Sequence, residues 1–501
     1  MTKAARPGMN RRERRARARR QSRAIAAEAR LGGPEADLRL GDALVAAGRF
    51  AEAVAPFRRA VAARAGDPVT LGKLAYCLAS SGEVGEAIDC YHRALALAPD
   101  NPGLITNLGV LLNLAGRPAE ARAAFERALA LAPNHANALF HLAETLAKAG
   151  RGDEARGYFA RAAALYDRLA ATGDAGADDL VKLAVALMAL DRAAAAVRWL
   201  ERALALRPDH ALALARLGFA LAKLGRFREA MHCYRRAAAL DPRDAEARRA
   251  LGLLLLELSE YGPAARALKR ALRARPDDPI ALYFHAALAG EEAPEAPPEG
   301  YVEGLFDGYA ETFDAHLVAI LDYHAPELLR TAVGETTGVE QAAWTVLDLG
   351  CGTGLCGSQF RGLAGRLIGV DKSARMLAKA RERGLYDELR QDDLVAALRA
   401  ERGTIDLAVA TDVFIYVGAL EAVFAAARAA LRDPGWLAFT TEDAPGAGFA
   451  LTPGGRYAYS PRYIHDLAAA HGFTVASEEA IALRKESGAP LAGRVYVLAT
   501  R

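Results

Sequence analysis

At 501 residues the chain is too long for one hydrophobic core, and two or three domains are expected. A net charge of +3 gives no bulk electrostatic case for a nucleic-acid partner, and no apolar run is long enough to span a bilayer or form a signal-peptide core. The five cysteines (Cys77, Cys90, Cys233, Cys351, Cys356) are odd in number and lack metal-ligand spacing, so reduced thiols, no metal and a cytoplasmic setting are expected.

Residues 1–33 come first. Asn10 to Gln21 is a run dominated by arginine, read as a flexible solvated arm, with RNA, an anionic membrane or an organelle-transit role as alternatives. Met9, just before it, is a second candidate start. The heavy use of Ala, Arg, Gly and Leu resembles a GC-rich bacterial gene.

A repeat follows over 34–290. Leu74-Ala75, Leu108-Gly109, Leu142-Ala143, Leu183-Ala184, Leu217-Gly218 and Leu251-Gly252 recur at 34-residue steps, except for the longer step from Leu142 to Leu183. That step holds an insertion of about seven residues near Ala171 to Gly176. Each unit carries an alanine (such as Ala53, Ala87, Ala121), a bulky residue four later (Phe57, Tyr91, Phe125), and a second alanine three beyond that. Pro99, Pro133, Pro208, Pro242 and Pro276 close units. Small residues let two helices cross closely, the bulky one fills the hole beside the crossing, and proline ends the second helix. This pattern resembles the tetratricopeptide family: an all-α solenoid of about seven units with a capping helix over Ile280 to Ala289. The resemblance implies a protein or peptide partner on the concave face, where Asn107, Asn113, His141, Lys148, Lys182, Arg216 and Lys223 are candidates and a positive bias would suit an acidic peptide. Solvated helix faces are the plain alternative. Residues 291–300, acidic and proline-rich, read as a linker between the halves.

The last stretch, 301–501, opens with Phe306, Tyr309 and Phe313 at helical spacing, followed by Asp314 and His316. Trp344 to Leu349 is a short apolar strand that runs into Gly350, Gly352 and Gly354. Such a turn brings backbone N–H groups and a helix start close to a ligand. The next apolar run stops at Asp371, where a carboxylate can accept both hydroxyls of a ribose. The dinucleotide fingerprint would want glycine at position 355, which is leucine. Val346 to Gly354 resembles motif I of class I S-adenosylmethionine-dependent methyltransferases, an α/β doubly wound fold of the Rossmann kind, and Gly369 to Leu377 resembles their second motif.

That resemblance implies a set of roles. The cofactor, S-adenosylmethionine (product S-adenosylhomocysteine), lies across Gly350, Cys351, Gly352 and Gly354, with Asp348 near its amino group and Asp371 on its ribose. Lys372 and Met376 border the adenine, Asp392 or Asp393 meets the adenine amino group, and Thr411 faces the same space. Asp412, Tyr416 and His316 are candidates for the base, and Tyr309, Phe313 and Asp314 for a lid that closes over the cofactor. Ala410 to Val413 lacks the Asn/Asp-Pro-Pro-aromatic turn of relatives that methylate adenine rings or glutamine amides, which leaves O-, C-, S- and other N-acceptors. The hybrid resembles bacterial methyltransferases with an N-terminal tetratricopeptide array. A methyltransferase with an unidentified small-molecule or protein acceptor is expected. The alternative is a scaffold whose Rossmann domain only senses the cofactor or is inactive.

Overall fold

The computed structural model describes residues 32–63, 67–310, 313–314, 323–339, 343–486 and 489–501. The arm before residue 32 and the base candidate His316 lie outside the described residues. The chain divides into two compact units, Met1–Pro242 and Arg243–Arg501.

The first unit is a series of helical hairpins. They pair α1 (Pro34–Ala46) with α2 (Phe50–Ala63), α3 (Pro68–Ser80) with α4 (Val84–Leu97), and α5 (Pro102–Leu114) with α6 (Pro118–Leu131). Next come α7 (Ala136–Lys148) with α8 (Gly152–Thr172), α9 (Ala177–Ala189) with α10 (Ala193–Leu206), and α11 (Ala211–Lys223) with α12 (Phe227–Leu240). Asp67 and Asn101 cap α3 and α5 by accepting two backbone N–H groups each, and proline occupies the first helical position, where no donor is needed. Phe57 and Phe125 are fully buried under the partner helix, where a Cβ at Gly41 or Gly109 would stand 2.6 Å from the ring. Proline does more than stop helices. The carbonyls of Pro99, Pro133 and Pro208 accept hydrogen bonds from Arg127, Arg161 and Arg236, each 28 residues further on, which ties successive hairpins together. The insertion expected near Ala171 appears as a longer helix: α8 has 21 residues where α6 has 14.

The second unit opens with one more hairpin, α13 (Ala245–Glu257) and α14 (Tyr261–Ala274), and the expected capping helix α15 (Pro279–Ala289). Asp278 is fully buried; it caps α15 through Ala281 N–H and pairs with Arg249 at 2.8 Å. Leu268, Tyr283 and Phe284 of these helices share one hydrophobic cluster with Leu349, Phe414, Phe439 and Tyr457 of the domain that follows. Residues 291–300, expected as a spacer, pack against that domain instead. The Glu295 carbonyl accepts from Ala419 N–H at 2.9 Å, and a Cβ on Gly418 would stand 2.2 Å from that carbonyl.

The domain is a doubly wound sheet. Its strands are β1 (Trp344–Leu349), β2 (Ala364–Asp371), β3 (Glu388–Gln391), β4 (Ile405–Ala410), β5 (Leu431–Asp443), β6 (Phe449–Leu451), β7 (Tyr457–Tyr459), β8 (Phe473–Glu486) and β9 (Ala489–Thr500). The order runs β3-β2-β1-β4-β5, all parallel, then β9 antiparallel to β5, with β8 on the edge beside β9. The ribbon β6–β7, which sequence periodicity did not reveal, extends the carboxyl end of β5 through Glu442 and Asp443. Val346, Leu347, Ile368 and Val409 are fully buried, as strands covered on both faces require. Because Leu347 pairs with both Ile368 and Ala408, the carboxyl ends of β1, β2 and β4 open at one edge, where ligands of such sheets bind.

Truncating the fully buried Phe125 to alanine leaves a cavity beneath Gly109. The expected cost is about 3–5 kcal/mol, read as an earlier urea transition of the repeat helices in circular dichroism.

Candidate functional site

The site is built on the turn after β1. Gly350, Gly352 and Gly354 all take positive φ, at 65°, 54° and 93°. A Cβ on Gly350 would strike Val413 at 2.7 Å, whereas one on Gly352 would meet only Phe313, at 3.9 Å, so Gly352 is the bare point of the loop. Gly352 N–H donates to Asp371 Oδ2 at 2.9 Å and Ser373 N–H to Oδ1 at 2.8 Å. Burial raises the Asp371 carboxyl above its ordinary value, and these two N–H groups oppose the rise.

Asp348 lies beneath the loop. It is 1% exposed, and Tyr386 donates to its Oδ2 at 2.6 Å. Its Oδ1 has no N–H or O–H partner among the described residues. Burial pushes its carboxyl to about 7, with the Tyr386 hydroxyl and the Cys356 thiol holding it down. Tyr386 was not singled out from sequence. The signal lies in spaced glycines: a Cβ on Gly357 would stand 2.3 Å from its hydroxyl, on Gly369 2.8 Å from its ring, and on Gly354 3.1 Å. Gly354 therefore seats a tyrosine and does not face the opening.

A cleft of about 590 Å³ stands over the loop, lined by Gly350 to Thr353, Asp371, Lys372, Asp392, Asp393, Thr411, Asp412 and Tyr416 among others. Met376, expected to border the adenine, is fully buried and is not part of the lining. It points into the core because Ser373 caps the first turn of α19 (Ala374–Arg383; α16, α17 and α18 being Tyr301–Tyr309, Ala325–Thr337 and Leu355–Phe360). The two neighbouring acids separate. Asp393 caps α20 (Leu394–Ala400) through Val395 and Ala396 N–H and pairs with Lys372 at 2.8 Å. Burial raises its carboxyl, yet the Lys372 ammonium outweighs this and holds it low. Asp392 lines the cleft, and its carboxylate accepts from Asp393 N–H at 2.8 Å. Cys351 and Cys356 are buried thiols, pushed well above their ordinary value by that burial, and stay protonated.

Helix α16 and Phe313-Asp314 are stitched onto this body. Ser373 Oγ donates to Asp307 at 2.5 Å, and Asp314 accepts from Thr353 Oγ1 and from Arg383 at the same distance. Phe313 and Phe306 line the cleft, while Tyr309 does not and packs edge-on against Phe313 at 5.3 Å. Tyr323, absent from the sequence reading, also lines it, beside Thr411.

The β4 edge carries the remaining candidates. Asp412 takes a left-handed φ of 53°, a strained choice for a non-glycine residue, and its N–H is held by Thr440 Oγ1 at 2.9 Å. Its carboxylate is gripped by Arg484, which also pairs with Glu442; Arg456 reaches the same Glu442 at 2.8 Å. Burial raises the Asp412 carboxyl, and the Arg484 guanidinium opposes this. Burial holds the Tyr416 phenol up at about 12, so it is a donor at neutral pH. The arginine network was invisible in sequence because its members lie 14 to 72 positions apart.

In the first unit several candidate contact residues are engaged internally. Asn113 donates to Thr145 at 2.7 Å, His141 meets Glu144 at 3.0 Å, and Lys182 donates to Asn137 at 2.5 Å, where burial lowers its ammonium. Among the described residues no helix is long and apolar enough to cross a membrane, and no three His, Cys, Asp or Glu side chains gather as metal ligands.

A family model for a methyltransferase domain matches residues 346–435. Tetratricopeptide-repeat models match 11–68, 68–134, 112–168, 180–210, 216–279 and 250–295. The ubiquinone biosynthesis O-methyltransferase of Paraburkholderia xenovorans (strain LB400) is 30% identical over 104 residues, 19% of this chain and 44% of that protein; the chain thus spans less than half of that relative's length. Among solved structures, a thermophilic tetratricopeptide protein of Thermus thermophilus is 26% identical with a TM-score of 0.33, covering 38% of this chain and 99% of that one. The 1,6-didemethyltoxoflavin-N1-methyltransferase of Burkholderia thailandensis is 18% identical with a TM-score of 0.34, covering 42% and 92%. Both structural likenesses are weak. The chain joins tetratricopeptide repeats, which point to protein or peptide partners, to a methyltransferase domain.

Asp348 gives a pH signature. Its folded value of about 7 lies above the ordinary 3.8, so its contribution to stability is present below the ordinary value and is lost as pH rises through 7. In Asp348→Asn this loss is absent. The stability gap between variant and wild type, from urea midpoints, should widen up to about pH 7 and level off above it.

Proposed function

We propose that the chain is an S-adenosylmethionine-dependent methyltransferase whose repeats recruit a partner or a protein that presents the acceptor. The observation that carries this reading is the carboxyl edge of β1 and β2. A bare Gly352 at positive φ lies beside the Asp371 carboxylate, above a buried Asp348 with an orphaned oxygen. The residues fit the cofactor. Asp371 takes the ribose hydroxyls, Gly352 leaves room for the chain between ribose and sulfur, and Asp348 Oδ1 accepts from the ammonium, which supplies the donor that a buried oxygen needs. Asp392 meets the adenine amino group, since Asp393 is committed to its helix and to Lys372. The repeats occupy 34–290, and the methyltransferase domain 301–501 takes in the 291–300 segment that packs on it.

When bound, the cofactor supplies a methyl on a positively charged sulfur: the acceptor's lone pair forms the new bond to carbon, the C–S pair returns to sulfur, and S-adenosylhomocysteine leaves. The protein holds the acceptor in line and excludes water. Asp412, fixed by Arg484 and raised by burial, takes the proton that the acceptor gives up; Tyr416 donates a hydrogen bond that orients it. Asp307 and Asp314 keep α16 closed over the cleft.

Calorimetric titration with S-adenosylhomocysteine should show saturable micromolar binding, about −8 kcal/mol. Asp371→Ala should weaken it by about 2 kcal/mol, roughly thirtyfold, with the helical signal intact; unchanged affinity would refute the ribose role. Because the ammonium requires ionised Asp348, affinity should fall about tenfold per pH unit below 7, and Asp348→Asn should flatten that dependence at weaker binding.

A further inference from the structure

The proline-rich segment and the start of α16 form one wall of the cleft: Pro297, Pro298, Val302 and Phe306 line it together with Tyr416 and Val417. The acids between them, Glu299 and Glu303, line the same cleft and are exposed, so they stand at its rim. The wall is fixed at both ends. Before it, the Glu295 carbonyl is bonded to Ala419 N–H. Within it, Tyr301 packs on Tyr283 and Phe284 of the capping helix, with ring centroids 5.7 and 5.8 Å apart, and the Tyr283 hydroxyl donates to the Gly455 carbonyl at 3.1 Å; after it, Asp307 accepts from Ser373 Oγ at 2.5 Å. Inside, Phe306 and Tyr416 meet edge to face at 5.1 Å.

Position in the sheet says which ligand this wall meets. The nucleoside acids Asp371 and Asp392 stand at the ends of β2 and β3, on one side of the glycine loop. The wall starts at Gly418 and Ala419, beyond β4, on the other side, where Asp412 and Tyr416 stand, and only past Phe306 does α16 reach Ser373 through Asp307. We infer that the segment 296–306 is the wall of the acceptor compartment, and that this compartment takes a small, apolar, ring-bearing acceptor with a nucleophilic hydroxyl or amine. Rigid prolines, a valine and two rings match a flat hydrocarbon surface, and aromatic pairs here gain beyond the area they bury. The Tyr416 phenol, beside Phe306, is placed for the one polar group of such a molecule. This inference rests on the methyltransferase reading.

The test uses 1-naphthol as probe on the full chain saturated with S-adenosylhomocysteine. Saturable binding with Kd below about 1 mM is expected. Val302→Trp should weaken naphthol at least tenfold more than it weakens S-adenosylhomocysteine. Pro298→Trp is a second variant at the same wall with the same expectation. No naphthol binding to protein that demonstrably holds S-adenosylhomocysteine overturns the inference and leaves the methyltransferase reading standing. Equal weakening of both ligands overturns it too, and assigns the wall to the cofactor. Failure of S-adenosylhomocysteine itself to bind sinks the methyltransferase reading and this inference with it.

Discussion

A single part-buried hydrogen bond, from the Tyr386 hydroxyl to Asp348, underlies the geometry of the glycine-loop edge. The ring needs a slot between β2, the loop and α18, and bare glycines at 354, 357 and 369 provide it. With the ring in place, one oxygen of Asp348 is satisfied, and the other has no N–H or O–H partner among the described residues. The loop above can then curl through three left-handed positions and present Gly352 N–H to Asp371. A larger residue at any of the three glycines would displace the tyrosine, and with it the carboxylate and the loop.

The β4 edge is organised differently. There a buried ionic chain, Asp412–Arg484–Glu442–Arg456, joins the end of β4 to the β8–β9 hairpin and the β6–β7 ribbon. Charges this deep persist only when paired, and removing one member leaves its neighbour uncompensated. The strained φ of Asp412 is tolerated because Thr440 and Arg484 hold both its backbone and its carboxylate. The glycine-loop edge and the β4 edge thus depend on separate networks, one largely local in sequence and one assembled from distant strands.

That difference explains what sequence could reveal. Gly350, Gly352 and Gly354 with Asp371 lie within one strand–turn–helix–strand unit, and their spacing follows from backbone geometry. The repeats were legible for the same reason, since each hairpin restates the packing of Phe57 or Phe125 against small partners. Met376 misled because a motif position gives no side-chain direction, and the Ser373 cap turns that residue inward. The 291–300 segment misled because composition describes a chain in solvent, whereas here one carbonyl, that of Glu295, meets a glycine placed to receive it. Tyr386 and Arg484 carry no motif at all.

The lengthened helix α8 has a consequence for how such arrays change. Its extra length over a sister helix is seven residues, about two full turns and about 10 Å of rise. The buried stripe Ala155, Phe159, Ala162, Tyr166 and Ala170 runs through the addition without changing face. Insertions that are not near whole turns would rotate every later residue off the stripe. Helical phase thus acts as a filter on heritable length variation: such an array lengthens most readily by near-whole turns, about four or about seven residues, and lengths between are disfavoured by rotation more than by bulk.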